Sequence, residues 1–353
     1  MCYTLRRLAA KCANSHVISR RSEVLQPQQL GVVVSGGAEA AVHAARRLVS
    51  NLPAGHVVVK LDFSNAFNCF RRDLLLNSIA TNIPEIYRLV YSAFSREPVL
   101  TFGSHEILSS EGDPLGSLEF CEAIHPLLLI LHSSVKIGFM DDLTLSGDLR
   151  TVARDITTIM ESSSDTGLQL NVDKCEIITD DFTEINTLAT FNDFIRVNKE
   201  DMTLLGAPVL KGKAQDKAIQ DKIDDLSRAV ERLKHLQALD ALVILKNSLL
   251  LYLLRTSQCS DNPLLRQIDE ILRTGLITIL NVDINSDQWL QASLPVRDGG
   301  LGIRSAEMLA PSAYLASAAS TLLLQQSILP DSIWMQGDQL VASTETLWTG
   351  LAN

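Results

Sequence analysis

Twelve residues, Val135-Lys-Ile-Gly-Phe-Met-Asp-Asp-Leu-Thr-Leu-Ser146, most strongly limit what this chain can fold into. Two apolar, β-prone runs flank Asp141 and Asp142, and no Gly, Pro or Asn stands between Phe139 and Leu145. The stretch is therefore predicted to be a tight hairpin with both carboxylates at its tip. Adjacent acids among apolar neighbours repel each other and resist desolvation, and a bound cation relieves both penalties. Read alone, the same residues also suit a solvated β-turn with incidental aspartates.

A second acidic position lies upstream. His56-Val-Val-Val-Lys-Leu-Asp-Phe-Ser-Asn-Ala-Phe-Asn68 reads as a buried strand that carries Asp62 at its C-terminal end and leads into a helix. One aspartate at a strand end and two on a neighbouring hairpin can converge on a pair of Mg²⁺ ions. That arrangement activates a 3′-hydroxyl and stabilises a leaving pyrophosphate in phosphoryl transfer.

Phe139-Met-Asp-Asp142 resembles the aromatic-x-Asp-Asp box of reverse transcriptases, and Lys60-Leu-Asp-Phe-Ser-Asn-Ala-Phe67 resembles the strand motif that precedes it, especially in non-LTR (LINE-type) retrotransposon enzymes. Ser109-Ser-Glu-Gly-Asp-Pro-Leu-Gly116 resembles the Gln-Gly-Asp-Pro-Leu-Gly motif of that family. Gly167-Leu-Gln-Leu-Asn-Val-Asp-Lys-Cys-Glu176 resembles its Gly-Leu-x-Leu-Asn-x-x-Lys-Cys-Glu motif. Thr203-Leu-Leu-Gly-Ala-Pro-Val-Leu210 is similar to the hairpin that grips the primer 3′ end, and the Pro-x-x-x-Gly-Gly-Leu-Gly-Ile pattern after the family's thumb recurs at residues 295–303. An RNA-dependent RNA polymerase palm is the runner-up, but that family carries Gly-Asp-Asp where Met140 precedes the pair here.

The resemblance implies an α+β right-hand polymerase. Residues 1–55 would be partial fingers, 56–211 a palm with the remaining fingers segment, and 212–353 an all-helical thumb and C-terminal extension. The palm would be a three-stranded antiparallel sheet against helices. The implied reaction is RNA-directed DNA synthesis on an RNA template and DNA primer with dNTPs. Two Mg²⁺, or Mn²⁺ in their place, would be held by a metal set of Asp62, Phe63, Asp141 and Asp142. Lys174 would protonate pyrophosphate. Phe63, Asn65, Ala66, Phe67, Glu111, Gly112 and Met140 would line the nucleotide, with Phe67 excluding a 2′-hydroxyl, and Leu205 and Gly206 would grip the primer. Without the resemblance, Phe67 reads as a core aromatic and Lys174 as a solvated charge at a strand start.

The chain departs from the family at Glu111, where a Gln is expected, and residues 109–114 read as a shortened loop that has lost about four residues. A carboxylate near a triphosphate is electrostatically unfavourable. This departure and the net charge of −10 support an alternative: a catalytically weak or inactive retrotransposon-derived remnant with a nucleic-acid-binding or structural role. Nucleic-acid grooves need local Lys and Arg to replace phosphate counterions. Retention of all three aspartates and of Lys174 favours the enzyme.

The 353 residues, 46% hydrophobic, are enough for a large core in two or three subdomains. Cysteines at 2, 12, 69, 121, 175 and 259 form no CxxC pair, which argues against zinc and for a reducing compartment. No run approaches eighteen apolar residues and the N-terminus lacks a signal-peptide core, so an intracellular protein, in cytoplasm or nucleus, with no membrane partner is expected. Periodicity predicts a basic amphipathic helix over 4–12, then a loop, short apolar strand and Gly turn over 26–37. Helices are expected over 38–49, 71–80 and 84–94, a hairpin over 99–109, and a helix after Gly116. A helix over 148–166 should bury Val152, Ile156, Ile159 and Met160, and a strand should follow Gly167. Long helices over 214–235, 239–254, 262–280 and 305–326 complete the expectation.

Overall fold

The computed structural model describes residues 3–32, 34–94, 99–102, 105–108, 114–247 and 250–351. In chain order the elements are α1 (Tyr3–Leu25), α2 (Gly37–Ser50), β1 (His56–Leu61), α3 (Ala66–Cys69), α4 (Arg72–Asn82), α5 (Tyr87–Phe94), β2 (Val99–Phe102), β3 (His105–Leu108), α6 (Gly116–Ile130), β4 (Val135–Phe139), β5 (Asp142–Asp148), α7 (Leu149–Glu161) and α8 (Ser163–Thr166). They continue with β6 (Glu176–Ile178), β7 (Ile195–Val197), β8 (Thr203–Leu204), β9 (Ala207–Pro208), α9 (Lys213–Leu233), α10 (Ala238–Asn247), α11 (Leu251–Thr256), α12 (Leu264–Leu280), α13 (Ser286–Ser293), α14 (Ala306–Ser320), α15 (Leu322–Ile328), α16 (Asp331–Trp334) and α17 (Gln339–Leu351). The fold is α+β and mostly helical. Its contacts divide it into one unit of residues 1–44, 48–198 and 323–335 and another of 45–47, 199–322 and 336–353.

The first unit is built on a sheet ordered β4-β5-β1-β6-β7. β1 is central, and its Val57, Val58 and Val59 are all buried, the signature of a strand covered on two sides. Four strands are antiparallel, but β7 runs parallel to β6, so the expected three-stranded antiparallel sheet is corrected to a five-stranded mixed one. The connection 179–194 is long enough to carry the chain back to the start of β6, which a parallel pairing requires. On one face Val57, Val59, Leu61, Leu143, Leu145 and Ile177 join the core with α6 and α7.

Asp148 starts α7 by accepting from the backbone N–H groups of Arg150 and Thr151, a cap that satisfies otherwise orphaned donors. The helix stops at Glu161 and α8 follows, and Met160 is 47% exposed while Val152, Ile156 and Ile159 are buried. The buried stripe needs only positions i, i+4 and i+7, and Met160 falls beyond its edge. The predicted 4–12 helix runs on to Leu25. Its Arg21 forms two hydrogen bonds of 2.5 and 2.7 Å to the buried Glu122 of α6. Within α6, Pro126 has no N–H for the Glu122 carbonyl, and Ser78 of α4 donates to that oxygen at 3.1 Å instead. The expected strand within 26–37 is absent among the described residues, where an isolated bridge joins Gln29 to Gly138.

The second unit has its own helical core. Ile219, Ile223, Leu226, Val230 and Leu233 form an apolar stripe along α9 at helical spacing. Gly275 of α12 allows close approach, since a Cβ there would lie 3.2 Å from both Val230 methyls. The single helices expected over 239–254 and 305–326 are each two, α10 with α11 and α14 with α15. Thr321 leaves helical geometry at φ −105°, ψ 6°, which ends α14.

Candidate active site

Phe139 pairs with Asp142, so Met140 and Asp141 alone form the turn between β4 and β5. Two-residue hairpin turns favour positive φ at their first central residue, and Met140 adopts φ +57°. For a side chain with a Cβ this conformation costs about 1–2 kcal/mol, so other contacts must hold it. They come from Gln29, whose side-chain amide bonds both the N–H and the C=O of Met140.

Asp62 follows β1 directly. The β1–β5 register ends with Leu61 opposite Leu143, and one further step puts Asp62 opposite Asp142. By the same alternation Lys60 and Asp62 belong to the sheet face opposite Val59 and Leu61, together with Thr144, Asp142 and Glu176. Lys60 spans this face with an ion pair to Glu176 at 2.8 Å. Sequence reading assigned Lys60 no role, because a lone lysine in an apolar run reveals nothing about its partner across the sheet.

Burial pushes the Asp142 carboxyl above its ordinary range, the negative charge of Asp141 adds to this, Lys60 opposes it, and Asp62 raises it further. Asp142 is nonetheless exposed as a residue, and solvent screens the effect. Three acids with mutual repulsion and oxygen donors suit a hard divalent cation. Among the described residues, however, no three His, Cys, Asp or Glu side chains are already gathered as a metal-holding group.

The segment 167–175 is zipped to the exit of β1. Phe63 bridges Leu170, Asn171 N–H donates to the Asp62 carbonyl at 2.8 Å, Ser64 N–H donates to the Gln169 carbonyl at 2.8 Å, and Asp62 N–H faces Cys175 Sγ at 3.5 Å. Gly167 permits the approach, with φ +81° and no room for a Cβ, which would fall 2.2 Å from the Cys69 carbonyl oxygen. Lys174 is exposed at the end of a 3₁₀ turn in this segment. The fold thus brings it near Asp62 in the chain path without a contact between the two side chains.

Asn65 also lies in the left-handed region, at φ +49°, and Ala66 is buried at the start of α3. Phe63 is buried in the core at 5% exposure of the whole residue. Phe67 is half-buried, its ring centroid 4.9 Å from that of Phe120. Glu111 and Gly112 lie outside the described residues. Leu205 and Gly206 belong to the second unit and form the β8–β9 turn, with φ +49° and +77°. Tyr252 donates its hydroxyl hydrogen to the Leu205 carbonyl at 3.0 Å, and a cavity of about 330 Å³ beside the turn is lined by Gly206, Lys222, Leu226 and Tyr252.

No helix among the described residues is long and apolar enough to cross a membrane. No family model and no curated protein matches the chain. Among solved structures it is similar to telomerase from Candida albicans, determined in complex with a TWJ fragment of telomeric RNA, at 11% identity and a TM-score of 0.43. The match covers 97% of this chain and 56% of that one, so the chain spans little more than half the telomerase length. A likeness this faint does not bear on function.

Proposed function

We propose that the chain is a template-directed nucleotidyltransferase of the reverse-transcriptase kind, making DNA on an RNA template. The observation that supports the reading is the β1–β5 register, which ends with Leu61 opposite Leu143, one residue before Asp62 on one strand and one residue after Asp142 on the other. Asp62 and Asp141, with the Phe63 main chain, would hold two Mg²⁺ ions and Asp142 would complete the cluster. The bound ions would activate the primer 3′-hydroxyl and neutralise charge on the leaving pyrophosphate. Lys174 would deliver a proton to that leaving group, Asn65 and Ala66 would support the triphosphate through their main chain, and Phe67 would crowd the sugar 2′ position. Leu205 and Gly206 would hold the primer end.

The second reading is a catalytically weak or inactive retrotransposon-derived remnant with a nucleic-acid-binding or structural role. The net charge of −10 and the carboxylate of Glu111 favour it. Primer extension on poly(rA)/oligo(dT) with Mg²⁺ separates the two. The enzyme reading expects extension by the native chain and background signal from Asp62→Asn and Asp141→Ala; equal signal from all three leaves only the remnant.

A further inference from the structure

Residues 28–31, which read as loop from sequence, close on the acidic hairpin from beyond the edge of the sheet. Gln29 is 1% exposed, and its amide bonds to partners far away in the chain. Its Oε1 accepts from Met140 N–H at 3.1 Å and from the Cys121 thiol at 3.3 Å, and its Nε2 donates to the Met140 carbonyl at 3.0 Å. Main-chain bonds flank this contact: Leu30 N–H donates to the Gly138 carbonyl and Gly138 N–H to the Gln28 carbonyl, both at 2.8 Å.

Two glycines make the room. A Cβ on Gly31 would lie 2.7 Å from Met140 N and 2.8 Å from its Cγ, and one on Gly138 would lie 2.7 Å from the Gln28 carbonyl oxygen and 2.8 Å from Gln29 Nε2. The orientation of the amide follows from its partners, since Met140 N–H needs an acceptor and Met140 C=O a donor. A primary amide offers both from one rigid plane. An ionised carboxylate only accepts, and a thioether satisfies neither partner.

Bonding both ends of Met140 fixes the two peptide planes on either side of a strained residue at φ +57°. The second of those planes contains the nitrogen of Asp141. We propose that Gln29 is a positioning residue for the acidic pair: it holds Met140 left-handed and so sets the direction in which Asp141 and Asp142 leave the hairpin. Its consequence for chemistry rests on the polymerase reading above; the clamp itself does not.

The test uses the full chain with Gln29→Met, which removes both bonds to Met140, and Gln29→Glu, which keeps the accepted bond. Hydrogen exchange is read at the amide of Met140 and, as references in the same sheet, at those of Leu145 and Val59. The expected result for Gln29→Met is exchange about tenfold faster at Met140 with the two reference amides within about twofold, as for a local opening and not a global one. Gln29→Glu should fall between Gln29→Met and the native chain. On poly(rA)/oligo(dT) with Mg²⁺, Gln29→Met should lower kcat by about 10- to 100-fold, the range seen when groups supporting metal ligands are removed, with KM for primer–template unchanged. Unchanged exchange at Met140 overturns the proposal, as does equal acceleration at all three amides, which would make Gln29 a general stabiliser. If Gln29→Met does not fold, Gln29→Glu carries the same comparison. If the native chain extends no primer, the polymerase reading fails while the exchange comparison still decides the clamp.

Discussion

Asp142 is held where its charge is disfavoured, by burial first and then by Asp141 and Asp62. The folded protein therefore keeps this proton to higher pH than the unfolded chain does. Stability from this group is fully present below 3.8, the ordinary value, and is lost as pH rises from there through the raised value. Because the residue is exposed, the loss should be below about 1 kcal/mol. Asp142→Asn is accordingly expected to raise Tm slightly at neutral pH and to flatten the stability profile above 3.8. Thermal melts of both proteins across pH check this, and a lower Tm for the variant at pH 7 contradicts it. The hairpin that carries Asp141 and Asp142 was legible in advance, because apolar, β-prone runs flank the pair. Gln29 was not, because an amide in a Gln- and Pro-rich stretch reads as loop and its partner Met140 lies 111 positions away.

At the scale of elements, α1 is tied to α6 by Arg21 and the buried Glu122, whose side chains are 12% and 1% exposed. Arg21→Met would leave Glu122 buried and uncompensated, and is expected to destabilise by about 3–5 kcal/mol, read as a shift of the urea midpoint. Ser78→Ala leaves the Glu122 carbonyl, already without an N–H from Pro126, unsatisfied, for an expected loss of about 1–3 kcal/mol. Strand β1, the acidic hairpin and most helices were legible because period-2 and 3.6-residue patterns register which face is buried. Element ends and breaks were not. The split into α10 and α11 and the stop at Thr321 interrupt apolar patterns that continue unbroken through the sequence. The parallel β7 was missed for another reason: Ile195, Arg196 and Val197 are only three residues long and mostly exposed, so pairing rather than burial makes them a strand.

On the scale of the molecule, each of the two units has its own apolar core. Separate cores invite separate transitions, so scanning calorimetry should give a van't Hoff enthalpy smaller than the calorimetric one. Arg21→Met should move only the part that belongs to the first unit, and a single two-state peak shifted whole would refute this. The sequence changes from strand-bearing to helical patterns near residue 211, whereas the contacts divide the chain between residues 198 and 199, and the passages at 45–47 and 323–335 have no local signal. Finally, the outer margin of β4 is already taken. Gly138 gives its N–H to Gln28 and its carbonyl to Leu30, so at that point the sheet has no free backbone groups with which to recruit a foreign strand. Fibril growth or sheet-to-sheet dimerisation would therefore have to begin away from Gly138.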